Sequence, residues 1–286
     1  MPDPALRTAI KNGEFILAPG VFEAISALLA DREGFKALYV TGYGTVASAL
    51  GLPDAGLATY SDMLGRISTI CERTTTPVIA DADTGYGGLL NVAHTVRGYE
   101  DAGVSAIQME DQEFPKKCGH TPNRRVVPLE DMLRKIEVAA DARRSDDFLI
   151  IARTDSRTGL GLDEAIKRGK AFAKAGADVV FVESPESEDE MKRICDEIDA
   201  PLFANMVNGG RTPLLSADRL KELGFSIGIH PALGFLAMGA ALQKAYADLK
   251  ANGETTDAID LYDFGKFNDL VGFPAVWEFE KKYAQV

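Results

Sequence analysis

The chain of 286 residues carries 31 Lys+Arg against 43 Asp+Glu, a formal net charge of -12, with 46% hydrophobic and 26% charged residues. This is the balance of a soluble globular chain; it excludes disordered, collagenous and disulfide-stapled classes, and a pI near 4.8 without a basic block excludes duplex nucleic acid as a partner. Three cysteines, Cys71, Cys118 and Cys195, stand far apart with no CxxC pair, which points to a reducing cytoplasm and away from a disulfide framework or a structural zinc site.

The N-terminal MPDPALRTAIKNGEF has prolines and charges where a signal peptide needs an apolar run. No later stretch approaches the roughly 18 apolar residues of a membrane span, so a cytoplasmic protein with no membrane partner is expected. Short β-rich runs then alternate with amphipathic helical patterns to the end of the chain. The strands read FILAPG at 15–20, ALYVTG at 37–42, PVIADAD at 77–83, AIQMED at 106–111, FLIIARTD at 148–155, DVVFVES at 178–184, PLFANM at 201–206 and SIGIHP at 226–231. Between them lie patterns such as SDMLGRISTICERT, NVAHTVRGYEDAG, LDEAIKRGKAFAKAG and SADRLKELG, several closed by a Gly suited to a helix C-terminus. Eight βα units predict a (β/α)8 TIM barrel, one domain over residues 1–286. From about residue 245 to 286 the chain runs on as a helical extension carrying Leu270, Val271, Phe273, Val276, Trp277 and Phe279. Such a tail is too apolar for water and must pack on its own barrel or on a partner subunit.

In such barrels the chemistry sits at the C-terminal ends of the strands. Here Asp81 and Asp83 follow PVIA, Glu110 and Asp111 follow AIQM, Arg153 and Asp155 follow FLIIA, Glu183 follows VVFV and Asn205 follows PLFA. Helix caps explain some of the aspartates but not Arg153, Glu183 or Asn205. Asp81 and Asp83, two apart, are expected on one strand face, where paired like charges need a cation. Oxygen donors, with Glu110 on the next strand, suit a hard ion such as Mg2+ or Mn2+. KKCGH at 116–120 sets the Cys118 thiol between lysines and an imidazole, surroundings that favour thiolate, in a long segment between the fourth strand and its helix. Cys71 and Cys195 fall in helical patterns and read as core filler. Tyr43 sits in TGYGT among glycines that allow close backbone approach to a ligand, and the weak dinucleotide fingerprint in GYGTVA conflicts with the count of eight units. His94 and His230 read as structural, since neither forms a metal motif.

DADTGYG, EDQ, KKCGH, ARTD and ANMVNGGRTP, in that order and at these separations, resemble the lyase branch of the isocitrate lyase/phosphoenolpyruvate mutase superfamily over nearly the whole chain. The resemblance implies a Mg2+-dependent barrel that exchanges its eighth helix between subunits and assembles as a dimer of dimers, a homotetramer. It implies Asp81 and Asp83 as metal carboxylates, with Glu110 and Asp54 bonding metal-bound waters. Thr41, Gly42, Tyr43 and Asp81 would face the 2-oxo acid end of the substrate and Arg153 its carboxylate. Glu183 and Asn205 would complete the pocket, with Gly119 and His120 beside the substrate and Cys118 as the catalytic thiol on a gating loop. The implied reaction cleaves the C2–C3 bond of a 2-hydroxy diacid of the 2-alkylmalate type to a 2-oxo acid such as pyruvate and a carboxylate, with Cys118, Arg153 and Glu183 as catalytic groups. Alternatives within the superfamily are oxaloacetate hydrolysis, methylisocitrate cleavage and a phosphoenolpyruvate mutase-type reaction, such as carboxyvinyl-carboxyphosphonate phosphorylmutase. Outside it stands a non-catalytic diacid-binding barrel. The phosphonate branch lacks the KKCGH thiol, and members that cleave methylisocitrate place an Arg where this chain has Leu236.

Overall fold

The computed structural model describes residues 2–119, 121 and 123–283. A short helix, α1 (Pro4–Lys11), starts at the Asp3 cap with Pro4 at its first position, where a missing N–H costs nothing. Eight parallel strands follow: β1 (Ile16–Val21), β2 (Leu38–Val40), β3 (Val78–Asp81), β4 (Ala106–Glu110), β5 (Leu149–Thr154), β6 (Val179–Val182), β7 (Leu202–Asn205) and β8 (Ile227–His230). Each pairs with the next and β8 pairs with β1, so the barrel closes and no sheet edge is left. Around it run α2 (Ala24–Arg32), α3 (Gly42–Leu50), α4 (Tyr60–Arg73), α5 (Leu89–Asp101), α6 (Leu129–Ala142), α7 (Ser156–Leu160), α8 (Leu162–Lys174), α9 (Glu188–Glu197), α10 (Ala217–Leu223) and α11 (Leu233–Asn252). Beyond α11 come α12 (Phe264–Val271) and α13 (Phe273–Tyr283).

The expected (β/α)8 architecture is therefore present, and its elements start and stop where side chains dictate. Thr59 and Asp62 form a capping box at α4, Ser187 and Ser216 cap α9 and α10, and Gly224 closes α10 at φ 110°, a conformation that suits glycine. One boundary differs from the sequence reading. The second strand, expected to run to Gly42, ends at Val40, and α3 begins at Gly42, directly after the Thr41 cap.

Strand periodicity splits the apolar residues into two cores. One set packs between the sheet and the helices, including Val40, Ala80, Ile107, Ile150, Val180 and Ala204. The alternate set fills the barrel: Ile16, Ala18, Tyr39, Ile79, Leu149, Ile151, Val179, Phe181, Phe203, Ile227 and Ile229, with Leu6 of α1 stoppering the N-terminal end. Phe203 lies at the centre, its ring 4.9 Å from Phe181 and 6.0 Å from Tyr39.

The C-terminal helices do not complete this packing. α11 follows β8 where an eighth barrel helix belongs, yet none of its residues is buried. Phe264 is 79% exposed and Trp277 45%, whereas Leu270 is buried, and Arg32 Nη2 of α2 donates to Asp269 O at 2.7 Å. Among the described residues no helix is long and apolar enough to cross a membrane.

Truncating Phe203 leaves a hole in the barrel interior that eight hydrogen-bonded strands cannot collapse around. Phe203→Ala is expected to lose about 3–5 kcal/mol of stability, measured by urea denaturation.

Candidate active site at the barrel mouth

The period of two that fills the barrel also sets which polar side chains crown it. In β5, Leu149 and Ile151 face inward and Arg153 is the next inward position; in β6, Val179 and Phe181 lead to Glu183. By the same parity Ile79 leads to Asp81, Ala106 through Gln108 to Glu110, and Phe203 to Asn205. These strand-end residues line one cavity of about 290 Å3 together with Thr41, Tyr43, Asp54, Cys118 and Gly119. Below them Tyr39 Oη donates to Gln108 Oε1 at 2.6 Å and Gln108 Nε2 to Asp81 Oδ1 at 3.4 Å, so the floor beneath the charges is a satisfied polar layer.

Asp81 and Asp83 do not share a strand face. β3 ends at Asp81, and Asp83 lies in the turn beyond with φ 49°, a left-handed conformation that Asp tolerates better than most residues. Its N–H donates back to Asp81 Oδ1 at 3.0 Å. The turn is held from outside: Tyr99 Oη donates to Asp81 O at 3.2 Å, and Lys135 Nζ of α6 to Thr84 O at 2.7 Å. Gly42 N–H at the start of α3 donates to Asp81 Oδ2 at 3.2 Å, and a Cβ at Gly42 would lie 2.5 Å from that oxygen.

The cation among these carboxylates is Lys116. Its Nζ stands 2.5 Å from Asp54 Oδ1 and 2.5 Å from Asp83 Oδ1, with all three side chains nearly dry. The KKCGH spacing suggests a lysine lending its field to Cys118; the fold instead sends Lys116 into the carboxylate cluster, while Lys117 is exposed. Burial pushes the Asp83 carboxyl up to about 7, with Lys116 pulling the other way. It pushes Glu110 well above the usual carboxylate range too, against the pull of Arg153. Glu110 Oε1 is buried with no hydrogen-bond partner among the described residues. Among those residues no three His, Cys, Asp or Glu side chains form a metal-enclosing group. The donor set is nevertheless all oxygen, poor in counter-charge and already host to an ammonium. That fits a hard divalent ion that keeps most of its waters and takes few carboxylates directly.

Arg153 is held by a residue that strand-end spacing flagged without a role. Asp155 accepts from Arg153 Nε at 3.0 Å and from Nη2 at 2.9 Å, and pairs with Arg124 across the loop. Burial would raise the Asp155 carboxyl, but Arg153 and Arg124 outweigh it and hold it below its ordinary value. Burial likewise disfavours the Arg153 charge, yet Asp155, Glu110 and Glu183 keep it firmly protonated. Glu183, fully buried, accepts from Ser184 N–H at 2.7 Å and from Asn205 Nδ2 at 3.0 Å, and lies 3.4 Å from Arg153 Nη2.

Cys118 lies in the segment from Gln112 to Val126, whose ends form an isolated antiparallel bridge. The Gln112 side chain clasps the Lys117 backbone, Nε2 donating to its carbonyl at 2.8 Å and Oε1 accepting from its N–H at 3.0 Å. Cys118 N–H donates to Asp54 O at 3.2 Å. Gly119 passes so close to the strand ends that a Cβ would sit 2.2 Å from Arg153 Nη2. His120 lies outside the described residues. Cys71 and Cys195 are remote from the mouth, and burial pushes both thiols up to about 12. His94 packs against Tyr60 on the outer surface, ring centroids 4.7 Å apart and planes tilted by 52°, and His230, half-buried, has a depressed pKa from burial alone. The remaining wall is apolar: Tyr43 stacks on Phe235 at 5.1 Å and 15°, next to Leu236, Val207 and Ile229. Phe235 carried no sequence signal, because it lies on α11 inside an apolar run.

The Gly119 contact generates a direct test. Gly119→Ala is expected to displace either Arg153 or the loop and to raise KM for an acidic substrate more than tenfold, about 1.4 kcal/mol, with the melting curve unchanged.

A family model described as phosphoenolpyruvate phosphomutase matches residues 6–250. The chain is 47% identical over 280 residues to the 2,3-dimethylmalate lyase of Eubacterium barkeri, covering 98% of this chain and 97% of that protein. It is 41% identical over 286 residues to the 2-methylisocitrate lyase of Aeropyrum pernix, covering 100% and 91%. Its fold matches the crystal structure of a 2,3-dimethylmalate lyase with a TM-score of 0.93 at 38% identity, covering 99% of this chain and 96% of that one. A phosphonopyruvate hydrolase solved in complex with oxalate and Mg2+ matches with a TM-score of 0.89 at 29% identity over 100% of both chains. The motifs, the closed barrel and these matches agree: the chain belongs to the phosphoenolpyruvate mutase/isocitrate lyase superfamily.

Proposed function

We propose that the protein is a divalent-ion-dependent carbon–carbon lyase that cleaves the C2–C3 bond of a 2-alkylmalate-type diacid to a 2-oxo acid such as pyruvate and a carboxylate. One observation carries the reading: a single cavity joins the carboxylates Asp54, Asp81 and Glu110 to Arg153, Cys118 and an apolar wall. The first set demands a cation, the arginine suits a substrate carboxylate, the thiol can move a proton and the wall suits an alkyl substituent. The likeness to a 2,3-dimethylmalate lyase at 47% identity and the Mg2+ in the phosphonopyruvate hydrolase complex support the same choice.

Asp81 and Asp83 would hold the ion, with Glu110 and Asp54 accepting from its waters; Mg2+, or Mn2+ in its place, supplies Lewis-acid polarisation of the substrate's 2-oxygen and carboxylate. Arg153, fixed by Asp155 and lining the cavity, would bind a substrate carboxylate. Thr41, Gly42 and Tyr43 frame the 2-oxo acid end from the start of α3. Transfer of the 2-hydroxyl proton to a base, with Glu183 the candidate carboxylate and solvent the final acceptor, lets the C2–C3 electron pair leave toward C3, forming the 2-oxo group. Cys118 then gives its proton to C3, and the thiolate is reprotonated from solvent. Glu183 and Asn205 keep the far side of Arg153 in register. The Leu236 side chain, in place of a cation, leaves a third substrate carboxylate without a partner, at a cost of several kcal/mol in a closed site.

The protein is expected to release pyruvate from 2,3-dimethylmalate with Mg2+ and to lose that activity in excess EDTA. Faster turnover of 2-methylisocitrate would move the substrate to the tricarboxylates. Cys118→Ser keeps the hydrogen bonds but raises the donor pKa, so kcat is expected to fall by about 10^2 to 10^4 with KM little changed.

The bare apolar surface of α11 to α13 supports exchange of this extension, from about residue 245, with a second copy in a dimer of dimers. Light scattering at micromolar concentration is expected to give a tetramer; a stable monomer contradicts the exchange.

A further inference from the structure

Lys116 belongs to the loop that carries Cys118, yet its ammonium ends inside the carboxylate cluster, 2.5 Å from Asp54 Oδ1 and 2.5 Å from Asp83 Oδ1. Its side chain is 3% exposed, against 5% for Asp54 and 9% for Asp83. A lysine gives up its hydration so fully only where fixed negative charge replaces the water. Asp54 grips the same loop twice, since its backbone carbonyl also accepts from Cys118 N–H at 3.2 Å. We infer that Lys116 is a positioning residue with two linked effects: it latches the Cys118 loop over the mouth and competes with the divalent ion for Asp83.

The competition rests on the divalent-ion reading given above; the latch does not. A divalent ion on Asp83 brings two positive charges next to the ammonium. Unit charges at about 4 Å in a protein interior repel strongly enough that an empty Lys116 position should tighten ion binding at least about tenfold. Conversely, an ion that takes Asp83 removes one of the latch's two anchors. Asp54 remains as the other, so the loop loosens without being released. The ion that serves the reaction thereby also eases entry of the diacid past Cys118.

The test uses the full chain without substrate and two readouts, Mn2+ binding by titration calorimetry and the rate of Cys118 alkylation by iodoacetamide in metal-free buffer. Cys71 and Cys195 serve as the slow internal standards. Lys116→Met is expected to bind Mn2+ at least about tenfold more tightly than wild type and to be alkylated at Cys118 several-fold faster. Mn2+ is expected to accelerate alkylation of the wild-type protein and to leave Lys116→Met unaffected. Lys116→Arg, which keeps the charge, should restore weak binding and slow alkylation, and Asp54→Asn should speed alkylation by removing one anchor even if Lys116→Met does not fold. A Lys116→Met protein with wild-type Mn2+ affinity overturns the competition, and wild-type alkylation rates in both Lys116→Met and Asp54→Asn overturn the latch. Wild-type protein with no Mn2+ affinity overturns the divalent-ion reading and the competition with it, while the alkylation rates decide the latch separately.

Discussion

Asp54, Asp81, Asp83, Glu110, Asp155 and Glu183 bring six carboxylates to a barrel mouth from which water is largely excluded, and the side chains shown to answer them are Lys116, Arg153 and Arg124. Buried charge of one sign is tolerated only when it is paired or when it waits for a partner. The two halves of the mouth differ in this respect. Around Arg153 the balance is closed: Asp155 gives two hydrogen bonds' worth of fixed geometry, Glu183 stands behind, and the guanidinium lies over the Phe181 ring at 5.0 Å. Around Asp83 and Glu110 it is not, and burial drives both carboxyls upward. The arrangement divides the mouth into a side around Arg153 where charge is matched and a side where Lys116 is the cation shown to answer Asp54 and Asp83.

Placing that much charge so accurately requires a scaffold that does not yield. The barrel supplies it through register: Glu110 lies opposite Arg153, and Arg153 opposite Phe181, in strands whose lower inward positions are packed with Leu149, Ile151, Val179 and Phe203. Asp81, Arg153, Glu183 and Asn205 each stand one inward step above an apolar side chain, and Glu110 stands above the hydrogen-bonded Gln108, so the rigidity of the dry interior passes directly to the groups above it. The cation-seeking side is less regular. Asp83 sits on a turn held by Tyr99 and Lys135, and the loop bearing Cys118 is tied down by Gln112, Asp54 and Lys116. The strand-end groups are thus fixed by packing and the loop groups by a few named polar contacts.

α11 links the site to the C-terminal extension. Its first turn presents Phe235 and Leu236 to the cavity, while the rest of its length has no buried residue. Whatever covers that helix therefore also steadies the apolar wall against which Tyr43 stacks. Under the proposed exchange, substrate size and subunit packing would be joined through this one element.

Much of this was legible from the sequence because its rules are local. Eight apolar runs with helical patterns between them specify a barrel, and a polar residue closing such a run is carried to the mouth by strand period alone; this identified Asp81, Glu110, Arg153, Glu183 and Asn205. The glycines around Tyr43 left its element open, since Gly42 and Gly44 occur equally in loops and in a helix start that needs close approach to Asp81; the structure puts Tyr43 on α3 at the mouth. What the tertiary structure alone decided are partnerships made across the chain. Lys116 reads as a neighbour of Cys118, two residues away, yet its partner Asp54 is 62 residues distant. Asp83 was expected on a strand and lies on a left-handed turn, in a segment where Gly85, Tyr86 and Gly87 also have positive φ. A lysine side chain is long and flexible enough to reach any nearby anion, so spacing cannot say which one it chooses; the folded distribution of buried charge does.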